Sequence, residues 1–204
     1  MLSKIGNKGY LYREGTYLRQ DIIDSLKDEV KRRCESEDNF FGIGGYYHIK
    51  AVVKNAIILA ENYGADIEVV TIGAWLHDIA SVTNYNFYEE HHIHGARIAG
   101  DILSDFNYPK EKIELVQRCI LNHRGSKLLE KSSKEEICVA DADAISHFDN
   151  LPSLFQLAYA VRNYSVGEGI DFVKNKLIRS YNKLSDESKE VYREKYDIVM
   201  KILD

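Results

Sequence analysis

The segment Ile67-Glu-Val-Val-Thr-Ile-Gly-Ala-Trp75-Leu-His77-Asp78-Ile79-Ala80 decides how the chain is read. Ile67, Val69, Val70, Ile72, Ala74, Trp75 and Leu76 leave almost no polar face, so the spacing predicts a helix over Ile67 to Ile79 running through the middle of a domain. Asp66 is its predicted N-cap. His77 and Asp78 close the run and are therefore expected to be interior groups, which must be paired, hydrogen-bonded or held on an ion to offset the loss of water. Adjacent helical residues point about 100° apart, so both side chains reach one ion only where their directions converge beside the helix. A histidine packed on Trp75 and an aspartate capping the next segment would account for an isolated pair. The rest of the chain decides between the two.

Upstream, Leu18, Ile22, Ile23, Leu26 and Val30 predict a first amphipathic helix with Thr16 at its N-cap, behind an irregular arm over residues 1–15. Asn39 to Tyr47 is an aromatic, glycine-rich stretch expected to be a loop, either walling a cleft or packing on a helix end. Ile49, Val52, Val53, Ala56, Ile57 and Ala60 predict a helix from Tyr46 to Tyr63 that Gly64 stops and that carries His48 near its start. Downstream, residues 81–88 read as a polar-aromatic loop. A helix from Glu89 to Leu103 then carries His91, His92 and His94, and small residues at Gly95, Ala96, Ala99 and Gly100 let a neighbour approach. Pro109 begins the next helix, which ends at His123. Ser132 and Ser133, with Glu135 and Glu136 three residues on, are capping-box candidates before a helix bearing Asp141 and Asp143. Three more helical patterns cover Leu151 to Val161, Ile170 to Leu184 and Val191 to Leu203, the last started by Ser185. No alternating strand run is found, and the fold class is all-α.

Composition agrees with one globular domain over residues 1–204: the chain has 204 residues, 45% of them hydrophobic, and only two prolines. A net charge of −5 excludes an extended nucleic-acid-binding face but leaves room for a small basic pocket. Three cysteines (Cys34, Cys119 and Cys138), without a CxxC, point to buried thiols in a reducing compartment. No secretory signal and no bilayer-spanning run are found, so the expected location is the cytoplasm, with no membrane partner.

Five helices or helix ends thus carry candidate ligands: His48, His77 with Asp78, one or more of His91, His92 and His94, then His123, and Asp141 or Asp143. This order resembles the HD-domain superfamily of metal-dependent phosphohydrolases over about residues 46–150. The resemblance is carried by Trp75-Leu-His-Asp-Ile79, His91-His-Ile-His-Gly-Ala-Arg-Ile-Ala99, Ile120-Leu-Asn-His123 and Val139-Ala-Asp-Ala-Asp143-Ala-Ile145. It implies a compact helical HD-domain bundle with a four-ligand core of His48, His77, Asp78 and Asp143. Asp143 is preferred because Ala144-Ile145 follows it, leaving Asp141 behind the ligands or on the helix surface. In two-metal branches the extra histidines fall at His91, four residues before Gly95, and at His123.

The resemblance further implies one or two divalent ions (Mn²⁺, Fe²⁺, Zn²⁺ or Mg²⁺), since imidazole and carboxylate together suit any of these. Asp78 is then the bridging ligand and the catalytic carboxylate, with an oxygen available to orient attacking water. The implied substrate is a small phosphorylated molecule, with nucleotides among the candidates and Arg97, Arg124 and Lys127 as candidate phosphate cations. Two departures disfavour the cyclic-dinucleotide phosphodiesterase branch: Ser81 replaces the lysine often found three residues after the HD aspartate, and no Gly-Tyr-Pro follows His123. The alternatives are a di-iron HD-type oxygenase and an inactive nucleotide-binding regulatory module. Residues 151–204, with Tyr159, Tyr164, Tyr181, Tyr192 and Tyr196, are expected to cap the core or its cleft. Oligomeric state is not legible.

Overall fold

The computed structural model describes residues 12–13, 16–124 and 131–204, with backbone alone at 12–13 and 16–17. The chain is all-α, apart from a pair of two-residue strands, β1 (Tyr12–Arg13) and β2 (Thr16–Tyr17), that run antiparallel with Tyr12 opposite Tyr17. Thr16 therefore does not cap the first helix. That helix, α1 (Gln20–Cys34), starts behind Arg19, whose amide donates to the Glu68 carboxylate at 2.6 Å. The remaining helices are α2 (Gly44–Tyr63), α3 (Ile67–Leu76), α4 (His91–Asp105), α5 (Lys110–Asn122), α6 (Lys134–Asp149), α7 (Leu151–Gln156), α8 (Val166–Asn182) and α9 (Asp186–Ile202). A 3₁₀ turn, Tyr85–Glu90, precedes α4, and a π turn, Leu157–Val161, follows α7.

α3 is the axis. Gly64 stops α2 in the left-handed region at φ +64°, and Asp66 accepts from the amides of Glu68 and Val69 at 3.0 and 3.2 Å, so the chain enters α3 capped as expected. Every residue from Glu68 to Leu76 is buried. The buried Glu68 carboxylate is satisfied by the Tyr108 hydroxyl at 2.7 Å and Lys112 Nζ at 3.2 Å. The helix ends at Leu76, three residues before the predicted Ile79. The His77 ring takes the Ala74 carbonyl at 2.8 Å, the acceptor that a continuing helix would give the Asp78 amide, and the Ile79 amide tightens onto Leu76 O at 3.1 Å. His77 and Asp78 thus sit on a tight turn. α4 crosses close to that turn: a Cβ at Gly95 would lie 3.2 Å from Ile120 Cγ2 and 3.6 Å from His77 O.

The starts of α6 and α9 follow the sequence, whereas α8 begins at Val166, four residues before the expected Ile170. Ser133 accepts from the Glu136 amide at the head of α6, Ser165 and Glu168 form a full capping box on α8, and Ser185 caps α9. Pro109 stands one place outside α5, as its N-cap. Two apolar clusters result. The larger is built from α1 to α6 with Leu184, and a smaller one joins Phe148, Leu154, Val173, Leu177 and Val199 from α6 to α9. The three cysteines are free and buried, and burial pushes the thiols of Cys34 and Cys138 up to about 12, which leaves them unreactive. Among the described residues, no helix is long and apolar enough to cross a membrane.

Candidate metal centre

Asp78 lies between two pairs of imidazoles. Its Oδ2 is 3.5 Å from His77 Nε2 and 3.8 Å from His48 Nε2, while Oδ1 is 3.5 Å from His91 Nε2 and 3.8 Å from His123 Nε2. Asp143, on α6, places Oδ1 3.2 Å from His48 Nε2 and 4.0 Å from His77 Nε2. The six residues come from α2, the turn after α3, the first residue of α4, the residue after α5, and α6. Ser81, three residues past Asp78, donates its hydroxyl to Asp78 Oδ1 at 3.4 Å.

Hydrogen bonds fix the ring orientations. Nδ1 of His77, His91 and His123 points at the carbonyls of Ala74, Tyr88 and Ile120, at 2.8, 2.7 and 2.6 Å. A carbonyl only accepts, so each Nδ1 carries the proton. His48 follows the same logic. Ser146 Oγ donates to Asp143 O at 2.7 Å and therefore accepts from His48 Nδ1 at 3.1 Å. In the neutral ring each Nε2 is then a lone pair, and these lone pairs face one another at 3.4 Å (His48 to His77) and 3.2 Å (His91 to His123). Two facing acceptors repel unless a cation lies between them. Donors bonded to one ion at about 2.0 to 2.2 Å stand about 3 Å apart at right angles and about 4 Å apart when opposed, which is the range observed here. The donor set therefore fits a divalent ion.

Electrostatics point the same way. Burial raises the energy of ionised Asp78, but His77, His91, His123 and His48 more than offset it and hold the carboxyl far below the usual range. Burial similarly works against ionised Asp143, and Lys183, His147 and His48 outweigh it. Burial and the charge His77 would carry push His123 down to about 3, and burial also lowers His77. Neutral imidazoles beside ionised carboxylates are the protonation states that bind metal.

Of the other candidates, Asp141 is fully buried, not on the surface, and accepts from the Ser185 amide and hydroxyl at 3.1 and 2.5 Å, tying α6 to the start of α9. His94 stacks on Phe87 with centroids 4.4 Å apart and approaches Glu90, and His92 meets His91 edge-on, so neither is grouped with the donors.

A cavity of about 880 Å³ opens from the donors, within the size range of small-molecule sites. Phe41, Gly44 and Gly45 from the glycine-rich stretch line it together with Tyr88, which makes that stretch a wall of the cleft. Arg124 also lines it, paired with Glu89 at 3.5 Å, whereas Arg97 lies exposed on α4 and does not line it. Lys127 falls outside the described residues. Sequence reasoning missed the cations that do converge: Lys131, Arg162, Lys176, Arg179 and Lys183. Lys183 Nζ pairs with Asp143 Oδ2 and donates to His123 O at 3.2 Å. Burial pushes the ammonium groups of Lys131 and Lys176 down. The available signal was spacing, since Lys176, Arg179, Ser180 and the C-cap residue Lys183 recur at i, i+3, i+4 and i+7 along one face of α8 and its end. His147 was also passed over. It is buried, stacks on His48 at 4.8 Å between centroids, and places Nε2 3.9 Å from Asp143 Oδ1.

A helical fold that gathers His48, His77-Asp78 and Asp143 around one point defines a class. The HD domain model matches residues 45–147, half of the chain, and the chain belongs to the HD domain family. An uncharacterized protein of Clostridium beijerinckii is 34% identical over 77 residues, 38% of this chain and 49% of the relative, so the match spans about half the relative's length. Among solved structures, Bacillus subtilis YpgQ superposes with a TM-score of 0.66 at 17% identity, covering 90% of this chain and 92% of YpgQ. The YpgQ complex with ADP gives 0.63 at 17% identity, over 89% and 93% of the two chains. An HD-superfamily hydrolase of Bacillus thuringiensis gives 0.61 at 19% identity, over 89% and 92%. At these identities the likeness is one of fold.

Proposed function

We propose that the protein is a phosphohydrolase acting on a small phosphorylated substrate of nucleotide size, with two divalent ions held by His48, His77, Asp78 and Asp143 on one side and by Asp78, His91 and His123 on the other. The observation that carries this reading is the Asp78 carboxylate, whose two oxygens face two separate imidazole pairs at 3.5 to 3.8 Å beside a cation-lined cavity. When bound, the ions lower the pKa of water and neutralise phosphate oxygens, supplying a nucleophile and charge stabilisation together.

The chain's own groups do the rest. Asp78 would hold both positions and would offer an oxygen to orient the attacking water, and Ser81 donates to its Oδ1, restraining the carboxylate. Lys176 and Arg179 bind phosphate oxygens, and Arg124 is placed to do so from the opposite wall. Phe41 and Tyr88 supply a face for a planar group. The cationic lining supports an anionic, phosphorylated substrate, and the ADP seen in the YpgQ fold favours nucleotides within that class.

The test is phosphate or pyrophosphate release over a panel of nucleotides, sugar phosphates and bis(p-nitrophenyl) phosphate, with Mn²⁺, Fe²⁺, Zn²⁺ or Mg²⁺ added. Turnover of a nucleotide that is lost in His77→Ala supports the reading. Nucleotide binding that ignores metal, with no product from any ester, would establish an inactive binding module instead. Oxygen consumption by an iron-loaded protein lacking phosphatase activity would establish the oxygenase.

A further inference from the structure

We infer that His147 is a fifth protein ligand of the ion assigned to His48, His77, Asp78 and Asp143, making that position richer in nitrogen than its partner. The inference rests on the two-ion reading above. Two groups of donors share His48: His48, His77 and Asp78 lie mutually within 4.8 Å, and so do His48, Asp143 and His147. They could be two ion positions or one. His48 decides this, because its Nδ1 is spent on Ser146 at 3.1 Å and a single Nε2 remains. One lone pair serves one ion, so both groups describe the same position, and His147 belongs to it.

The side chain is built for the task. His147 is 5% exposed, so its polar atoms need partners inside the protein. Nδ1 lies 3.1 Å from the Ser180 hydroxyl, itself 3% exposed, the distance at which Ser146 meets His48 Nδ1, and with Ser180 as acceptor Nε2 is left as the lone pair. Nε2 is thereby aimed at Asp143 Oδ1, at 3.9 Å too far to share a hydrogen bond and within the range of two donors on one ion. The two ring planes differ by 22° with centroids 4.8 Å apart, a spacing that lets side-by-side imidazoles reach one ion, and the donor atoms of His48, Asp143 and His147 lie within 4.8 Å of one another. Three imidazoles and two carboxylates would favour transition ions over Mg²⁺, which prefers oxygen and retained water.

Co²⁺ titration of metal-free protein, followed by the visible absorption of the bound ion and by chelator competition, tests this without recourse to activity. His147→Phe keeps the stacked ring and removes the donor. It is expected to weaken the first ion by about tenfold or more and to change its absorption band, leaving the ion at His91 and His123 unaltered. Ser180→Ala, which removes a single hydroxyl, is expected to weaken the same ion by a few-fold and carries the test if His147→Phe does not fold. Wild-type affinity and spectrum in a folded His147→Phe, or in Ser180→Ala when His147→Phe does not fold, with loss in His77→Ala, would overturn the role of His147 while the site itself stood. Absence of Co²⁺ binding by the wild type would overturn both.

Discussion

The two walls of the cavity are built on opposite principles. The donor wall comes from residues 48–143, on helices packed into the larger apolar cluster, and each of its four rings is pinned through Nδ1 to a backbone carbonyl or to a hydroxyl that is itself committed. The cationic wall comes from Lys131, from Arg162 just after the π turn, and from α8 with its C-cap Lys183, α8 packing on the smaller cluster, and its side chains are long and many-jointed. Short, fixed side chains suit an ion, whose ligands must hold position within a few tenths of an ångström. Long, adaptable ones suit phosphate oxygens whose positions vary with the substrate. Under the proposed function, this contrast would put the chemistry on the HD core and substrate choice on the C-terminal helices.

The contrast breaks most visibly at Asp78. Asp78→Asn keeps the shape and removes the charge that serves both positions, and turnover is expected to fall at least about 10³-fold, since several kcal/mol of charge stabilisation go with the ions. Steady-state phosphate release measures it. Lys183 is the point where the walls touch, through Asp143. Lys183→Met leaves that carboxylate without its ammonium partner and should lower the stability of the metal-free protein by about 3 kcal/mol, with much of the loss recovered on adding metal; urea titration with and without Mn²⁺ checks this.

A third prediction concerns pH. His123 is pushed down to about 3 from an ordinary 6.5, so between those values the unfolded chain binds the proton and the folded chain does not. The metal-free protein should therefore be most stable above pH 6.5 and lose melting temperature steadily as pH falls towards 3. His123→Asn should flatten that slope. Smaller again, His91→Ala should remove one ion and leave the other, halving the metal content. On the opposite wall, Lys176→Gln and Arg179→Gln should each raise KM by about tenfold with metal content unchanged, because they remove a charged contact to phosphate alone.

The same contrast explains what the sequence disclosed. The donor wall was legible because an all-apolar helix, with a readable cap at Asp66, ends in two interior polar groups, His77 and Asp78, that need partners. His48, His91, His123 and Asp143 also stand in the order of the HD-domain resemblance, Asp143 on a helix with a readable cap at Ser133. The end of α3 was not legible. A hydrophobic period cannot register that the His77 ring captures the Ala74 carbonyl and stops the helix at Leu76. Nor was the cationic wall, because lysines and arginines at helical spacing look like a solvated face until the opposite helix is in place. Arg97 was singled out for its nearness in sequence to His91, yet a helix turns it outward. Lys176 and Arg179, far along the chain on α8, are groups that face the cavity. His147 stands four residues beyond Asp143 and so on the same face of α6, a signal that spacing did offer; what the sequence could not show is Ser180 on α8, which meets its Nδ1 and orients the ring.

The central claim is that one carboxylate holds two ions, and metal content tests it most directly. Wild type and Asp78→Asn, purified without chelator, loaded with Mn²⁺ and desalted, are to be compared by inductively coupled plasma mass spectrometry, with circular dichroism confirming that both are folded. The account predicts two equivalents in the wild type and loss of both, or retention of a small fraction, in Asp78→Asn. A folded Asp78→Asn that keeps the wild-type complement of metal would contradict it.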